Sequence, residues 1–360
     1  MGTHSLIKLA LKTPLHFGEL MDMEHTEVIM HSDSIFSALC YTSDRFLGKE
    51  AYKSFIEPFL KDNPPFLISS AFPYYEISEN QTLYFFPKPL LFKEFVDKHP
   101  QNIKIFKKIQ FVSKDIFNAY LIGDDSFLEE QFQRNDGTIK SDNLIQGNLI
   151  WLSENERGLV PILKNIWKIQ RNPRICINRK TKETTIFHYS RVYFHKNSGL
   201  YILIKNKDQA NETNLFNPLF KLFRYLGDTG IGGEKSLGNG QFEFKIESNN
   251  EPFTITLNDD SGQSNQFLNL SLYLPKESEI NAGIIDQNSF YQVINRRGWI
   301  SGSSFLRKSI NMLIEGSILN GSGKSNLGKL ENLTPKILKN TNPNYTIHRY
   351  GYCYPINFKI

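Results

Sequence analysis

Hydrophobic positions along the chain switch between two periods, and the switches mark out its elements. Ser5-Leu6-Ile7-Lys8-Leu9-Ala10-Leu11-Lys12 alternates partially at period two and predicts a strand. After an irregular stretch with Pro14 and Gly18, Ser32-Asp33 precede Ile35, Phe36, Leu39 and Phe46. That spacing predicts an amphipathic helix capped at Ser32-Asp33 and stopped near Gly48. Pro64, Pro65, Pro73, Pro87 and Pro89 forbid a long helix between Asn63 and Leu90, and the aromatics among them predict short strands and packed turns. From Phe92 to about Gly158 the pattern is mixed, with helical pieces and a turn at Arg134-Asn135-Asp136-Gly137.

Further on, Arg174 to Asn178, a polar corner at Lys180-Thr181-Lys182, and Thr184 to Phe194 predict a two-stranded ribbon. A turn at Asn197-Ser198-Gly199 leads into a strand from Leu200 to Ile204. Pro218 to Leu226 is helical in pattern, with Gly227 placed to end the helix. A glycine-dense stretch from Gly227 to Gly240 then runs into an alternating strand, Gln241 to Ile246. The polar tract Glu247 to Gln266 reads as a linker. Phe267 to Leu274 begins another strand, and Tyr350 to Ile356 closes the chain as one. The order β-α-β…β-α-β, followed by a shorter second round, predicts an α+β protein of two ferredoxin-like units, residues 1–250 and 265–360.

Composition narrows the class. The chain has 360 residues, 40% of them hydrophobic, which suits two domains and excludes a disordered polymer. Cys40, Cys176 and Cys353 are scattered, against both a disulfide framework and a structural zinc site, and for a reducing cytosol. No uninterrupted apolar run suggests a membrane span, and the expected location is cytoplasmic. Lys and Arg exceed Asp and Glu by 42 to 37, a net charge of +5. The placement of charge is more telling than its sum. Lys164 to Lys182 holds Lys164, Lys168, Arg171, Arg174, Arg179, Lys180 and Lys182 with no acid, and Gln287 to Ile314 holds Arg296, Arg297, Arg307 and Lys308 with none. Trp167, Tyr291 and Trp299 are interleaved. Guanidinium groups pair with phosphates and rings stack on bases, so both windows suit single-stranded nucleic acid; the bland alternative is a solvated basic face.

The glycine stretch adds a second clue. Gly227, Gly230, Gly232, Gly233, Gly238 and Gly240 surround Lys235 and Ser236, a density that lets backbone N–H groups converge on phosphates. A tight helix-to-strand connection would need only one or two. The stretch is no dinucleotide fingerprint, because Lys235 stands where the third glycine belongs and a strand follows. Gly321-Ser322-Gly323-Lys324-Ser325 resembles half a phosphate-binding P-loop, but Ile318 occupies the first glycine's place, so a surface loop is the better reading. The eight histidines show no metal-ligand spacing. His31, beside Ser32-Asp33, sits where it could cap backbone groups or meet a phosphate. Asp33 in a first helical turn is usually there for cap and dipole.

Several motifs in order resemble a known family. His31-Ser32-Asp33-Ser34-Ile35-Phe36, Ser69 to Tyr74 with Phe86-Pro87-Lys88-Pro89, and Gly230 to Phe242 are similar to RAMP-superfamily CRISPR proteins. With Arg296-Arg297-Gly298-Trp299 and the Tyr350 to Ile356 ending, the chain is most similar to the fourth subunits of type III-A (Csm) interference complexes. The resemblance implies two RRM-like domains, a protruding β-hairpin thumb at about 171–194, and a glycine-rich loop at 227–240. It implies no catalysis and no cofactor or metal. The implied role is to grip the 5′ tag of the CRISPR RNA, near the target RNA, and to join the large polymerase-like subunit to the backbone subunits. The RNA-contacting residues expected are His31, Ser32, Arg171, Arg174, Arg179, Lys180, Gly230, Gly232, Gly233, Lys235, Ser236, Gly238, Gly240, Arg296, Arg297 and Trp299. Rival readings are a metal-independent endoribonuclease using His31 with Lys235, and a purely protein-binding adaptor.

Overall fold

The structure is a computed structural model, which describes residues 4–18, 22–90, 100–134, 136–207, 212–247, 265–300, 305–321, 326–341 and 346–358. The linker expected over Glu247–Gln266 lies outside them, apart from its ends, as do residues 322–325 of the Gly-Ser-Gly-Lys-Ser string.

Strand β1 (His4–Leu11) leads through a long crossover to helix α1 (Ser32–Thr42) and then α2 (Lys49–Leu60). Next come β2 (Phe66–Ile68), β3 (Phe72–Ser78) and β4 (Gln81–Pro87), as the proline spacing requires. The mixed region resolves into α3 (Ile103–Lys108), β5 (Phe111–Ser113), α4 (Lys114–Leu121), α5 (Asp125–Phe132), β6 (Leu144–Ile145), β7 (Ile150–Trp151) and α6 (Glu154–Leu159). A long hairpin follows, β8 (Trp167–Ile177) and β9 (Thr184–Phe194), then β10 (Ser198–Asn206), α7 (Glu212–Thr229) and β11 (Phe242–Glu247).

One large sheet runs in the order β11-β1-β10-β3-β4-β5-β7-β6, with β2 also pairing to β10. Its first four strands are antiparallel neighbours, with Leu9 opposite Leu200 and Phe244. In chain order those strands and their helices read β1-α1-β3…β10-α7-β11. Helices α1 and α7 pack together, and Phe220 and Phe223 of α7 lie on Phe244 of β11 at 5.1 and 6.0 Å between ring centres.

Two local expectations fail for packing reasons. Helix α7 runs through Gly227 to Thr229 instead of ending there. A side chain at Gly227 would strike the Phe242 carbonyl, so this glycine lets the helix lie against β11. The turn comes at Gly230, with φ +84°. At the start of α1, neither Ser32 nor Asp33 caps the helix; His31 occupies the cap position without a side-chain capping bond, and Asp33 is drawn into a buried ion cluster.

After residue 265 the strands are shorter. β12 (Gln266–Asn269), β15 (Ile318–Asn320) and β18 (Pro355–Asn357) form a three-stranded sheet in the order β15-β12-β18. β13 (Val293–Arg296) pairs with β14 (Ile310–Leu313), and β16 (Leu330–Asn332) with β17 (His348–Tyr350). The closing strand expected over Tyr350–Ile356 is therefore two short strands around a buried connection. Its tyrosines enter the first half's core. Tyr350 sits 5.0 Å from Phe36, its hydroxyl accepts from Ile68 N, and Tyr352 donates to the Phe59 carbonyl at 2.8 Å. One hydrophobic core thus runs from Leu6 to Phe358, with a smaller cluster around Phe267, Tyr273 and Cys353. Among the described residues no helix is long and apolar enough to cross a membrane.

Candidate nucleic-acid interface

The strands of the β8–β9 hairpin pair with each other along an eleven-residue register, from Trp167 opposite Phe194 to Ile177 opposite Thr184, and the crossover after β1 adds a single bridge at Leu15–Val192. Side chains alternate between its two faces. One face carries Lys168, Arg174 and Arg191 with Tyr189, Tyr193 and Phe187. Lys168 Nζ stands 5.6 Å from the Tyr193 ring, and the guanidinium groups of Arg174 and Arg191 stand 4.6 and 5.2 Å from the Tyr189 ring. Tyr189 is itself buried, so it acts as a post holding two cations in place. The other face carries Ile169, Arg171, Pro173, Ile175 and Ile177 opposite Val192, Ser190, His188, Ile186 and Thr184. Arg179 and Lys180 are exposed at the turn, where the Lys180 amide donates to Asn178 Oδ1.

Glycine-rich residues 227–240 pack against the crossover after β1 and the middle of this hairpin. Gly233 donates to the His16 carbonyl at 2.8 Å, and Gly240 to Pro14 at 2.9 Å. A side chain at Gly232 would meet the His16 carbonyl, and one at Gly240 the Ile231 backbone; both residues have positive φ, +84° and +80°. Much of the glycine density therefore serves close backbone packing and needs no ligand to explain it. The tip is different. Lys235, Ser236, Leu237 and Gly238 are exposed, and nothing crowds Gly238. Lys235–Leu237 form a single 3-10 turn. Burial lowers the Lys235 pKa, and its ammonium stands 5.3 Å from the Tyr41 ring.

Hairpin, loop and the crossover after β1 are joined at one point. Arg174 reaches Glu234 at 3.3 Å, Asn239 Nδ2 donates to the Tyr189 hydroxyl at 3.1 Å, and the His16 ring lies 4.5 Å from that of Tyr189. His16 Nδ1 also bonds the Ser190 carbonyl at 2.8 Å. Arg174 is thereby tied to the loop whose next residues, Lys235–Gly238, form its exposed tip.

The remaining expected residues lie elsewhere. His31 and Ser32 are buried at the seam with the C-terminal strands. Ser32 Oγ accepts from Leu272 N, and Ser32 N donates to Ser70 Oγ, each at 2.9 Å. His31 Nδ1 bonds Glu315 Oε1 at 2.8 Å, and its Nε2 lies 3.1 Å from Glu27 Oε2. Burial disfavours the imidazolium, but Glu315 and Glu27 outweigh burial and raise its pKa to about 10. Asp33, fully buried, takes a two-point bond from Arg296 (Nε and Nη2, both 3.1 Å) and another from Arg349 Nη1. Burial opposes its charge, yet the two guanidinium groups hold its carboxyl well below the usual range. Arg296 is thus turned inward. Its neighbour Arg297 is exposed, with Nε on Asn295 Oδ1 at 3.1 Å, and Trp299 is exposed beyond it. Arg171 lies on the aliphatic side of the hairpin, paired with Glu24 at 2.5 Å.

Of the expected set, the fold joins Arg174 to the glycine loop at Glu234, the residue before Lys235, and leaves Arg179 and Lys180 at the ribbon's far end. Sequence reasoning missed Arg191, Tyr189, His16 and Tyr41. Strict alternation along 184–194, carried across to its partner strand, was the signal that could have placed Arg191 and Tyr189 beside Arg174.

The class these features define is an α+β protein whose large sheet carries a self-paired basic ribbon set against a glycine-rich loop. Residues 262–357 match the family model described as the CRISPR Csm4 C-terminal domain. The chain is 23% identical over 193 residues to the "CRISPR system Cms protein Csm4" of Thermococcus onnurineus, a match covering 52% of this chain and 54% of that protein. It is 24% identical over 282 residues to the protein of the same name from Streptococcus thermophilus, covering 75% and 73%. The chain thus spans about half the length of the first of these relatives. Among solved structures it resembles a chain of the Csm3-Csm4 subcomplex in the type III-A CRISPR-Cas interference complex, with TM-score 0.65, 19% identity and full coverage of both chains. It also resembles a chain of the Csm1-Csm4 cassette in complex with cA4, with TM-score 0.57, 16% identity and coverage of 99% and 98%. The similarity to the Csm4 family model thus lies in the C-terminal part of the chain, and the similarity to Csm4 proteins extends beyond it.

Proposed function

We propose that this chain is the Csm4-type subunit of a type III-A effector ribonucleoprotein, a non-catalytic protein that holds the 5′ tag of the CRISPR RNA. In that particle it joins the large polymerase-like subunit to the backbone subunits. The spatial order β11-β1-β10-β3 supports a ferredoxin-like (RRM-like) unit over residues 1–250, with the three-stranded sheet of 265–360 as the core of a second. The β8–β9 hairpin is the thumb, parting the guide strand from target RNA close to the tag.

The observation that carries the reading is the joint surface of ribbon and loop. Lys168, Arg174 and Arg191 stand on aromatic rings, and Arg174 is tied at Glu234 to the loop whose exposed tip is Lys235–Gly238. Phosphates would lie along the cations and the loop amides, with Arg179, Lys180 and Arg297 extending the track. Acid–base cleavage by His31 with Lys235 is disfavoured. His31 is buried with its two ring nitrogens facing Glu315 and Glu27, out of reach of a 2′-hydroxyl. Co-expression with the neighbouring subunits and a CRISPR transcript, followed by ultraviolet crosslinking, tests the proposal. Tag nucleotides should crosslink to peptides spanning 168–194 or 230–240, with the RNA intact. Cleavage of repeat RNA by the chain alone, abolished in His31→Ala, would replace the reading with the nuclease.

A further inference from the structure

Strands β13 and β14 form a second hairpin, and one of its faces is open. From Val293 on, exposure alternates: Val293, Asn295, Arg297 and Trp299 are exposed, Ile294, Arg296 and Gly298 are partly covered, and Ile300 is buried. Asn295 Nδ2 donates across the strands to Asn311 Oδ1 at 2.7 Å, and Arg297 Nε donates to Asn295 Oδ1 at 3.1 Å, so the amides and the guanidinium form one fixed row. Arg349 Nη2 holds the Arg297 carbonyl at 3.2 Å, while Arg349 and Arg296 are both fastened to buried Asp33. Trp299 is 47% exposed at the end of the row, and Tyr291, two residues before its start, is 42% exposed. Among the described residues neither ring carries a cation, and nothing takes a bond from Asn311 Nδ2. The ribbon's rings are in the opposite state: Tyr189 is buried and, like Tyr193, already faces cations.

Charge decides what such a face can take. In the buried lattice beside it, the acids Glu27, Asp33 and Glu315 are matched by His31, Arg296 and Arg349. Arg297 has a neutral amide as its side-chain partner, where Arg174 of the ribbon has the carboxylate of Glu234. No Asp or Glu lies between Gln287 and Ile314 or after Glu331, and Glu331 is engaged by Lys329 at 2.7 Å. Exposed Lys308 adds a further cation, its amide bonded to the Leu333 carbonyl in that acid-free end. We infer that the Asn295–Arg297–Trp299–Asn311 face is a base-reading surface for single-stranded RNA. Arg297 and Lys308 meet the phosphates, a base stacks on Trp299, and Asn311 Nδ2 donates to an acceptor on a base edge. Cations grip a backbone of any sequence, so the ribbon supplies affinity and this face supplies discrimination. The inference rests on the reading of the chain as a holder of CRISPR RNA, and it adds where nucleotide identity is sensed.

The complex assembled with its neighbouring subunits tests this, loaded with CRISPR RNAs that carry either the native tag or one changed tag base. Wild type should favour the native tag over at least one single-base variant by roughly fivefold or more, the discrimination that a good base-edge contact gives. Trp299→Leu and Asn311→Ala should each erase that preference, and Trp299→Leu should also lower affinity roughly tenfold, the loss of one base stack. Trp299→Phe, which keeps a ring, should restore both. Arg174→Ala should weaken all the RNAs alike and keep the preference. Ultraviolet crosslinking of the same particles should join a tag base to the peptide spanning 291–299. Thermal midpoints show whether each variant folds; if Trp299→Leu melts low, Asn311→Ala and the crosslink decide. RNA that crosslinks at the ribbon or loop while the preference survives both substitutions overturns the inference and leaves the parent reading intact. A wild type with no preference, or with no adduct at 291–299, overturns it too. Loss of a co-purified subunit in Trp299→Leu, with the preference unchanged, marks the face as a protein contact and has the same result. A particle in which no tag nucleotide crosslinks to this chain removes both readings.

Discussion

Arg174 of β8 pairs with Glu234 of the glycine-rich loop at 3.3 Å, so one of the cations on the ribbon's aromatic face is held by a carboxylate. The pair fixes the loop against the hairpin and at the same time competes with any phosphate that approaches. Glu234 is thus a built-in rival of RNA. Glu234→Gln should release Arg174 and strengthen RNA binding by severalfold at moderate salt. Arg174→Ala should weaken it and make the slope of log affinity against log salt shallower by about one. Filter binding of the assembled complex across a salt series reads both. Identical slopes in wild type and Arg174→Ala would remove Arg174 from the interface.

Loop packing and RNA binding by the loop separate at two glycines. Gly240→Ala forces a methyl group into the Ile231 backbone at a positive φ, and should lower the thermal midpoint clearly. Gly238→Ala meets open space and carries only the left-handed penalty, on the order of 1–2 kcal/mol. If the tip holds RNA, Gly238→Ala loses RNA retention out of proportion to its small loss of stability. Paired thermal melts and RNA retention on the two variants give the answer.

Asp33 ties α1 to Arg296 and Arg349 from the C-terminal strands. Asp33→Asn would leave two guanidinium groups buried without their anion. Breaking a buried ion cluster in this way costs about 3–5 kcal/mol. Denaturant unfolding should show that loss, and weakened RNA binding at wild-type stability is the result that would contradict a structural role.

His31 sets an alkaline limit. Its folded pKa of about 10 lies above the ordinary 6.5, so the stabilisation from its pairing is complete below about pH 6.5 and fades as the pH climbs through 10. Asp33 works in the opposite direction: its folded pKa lies below the ordinary 3.8, and its contribution is lost as the pH falls below that value. Melting temperature should therefore be highest between about pH 4 and 7. The decline from pH 7 to 10 should be absent in His31→Gln, which melts lower at pH 7. A wild-type profile flat to pH 10 would contradict the charged His31.

Local pattern was enough for the elements made from nearby residues. Period-two runs located β1, β10 and β11, prolines confined β2 to β4, and the polar corner at Lys180–Lys182 announced the hairpin. The glycine and arginine clusters were legible as candidates for a polyanion surface, without any sign of which members the fold would bury. His31 and Arg296 read as surface groups because a one-dimensional pattern carries no information about a carboxylate 284 or 263 residues away, and Glu315 and Asp33 decide their fate. Gly227 read as a helix stop because its use depends on how near β11 comes. The same holds for the ribbon. Its alternation was legible from the start, but which face is balanced by Glu24 and which stands on Tyr189 was settled only when the crossover after β1 folded back across it. Side-chain chemistry along the chain determined what this protein could bind. Burial and long-range charge pairing, which act through space and ignore sequence distance, decided which of those groups remain free to do so.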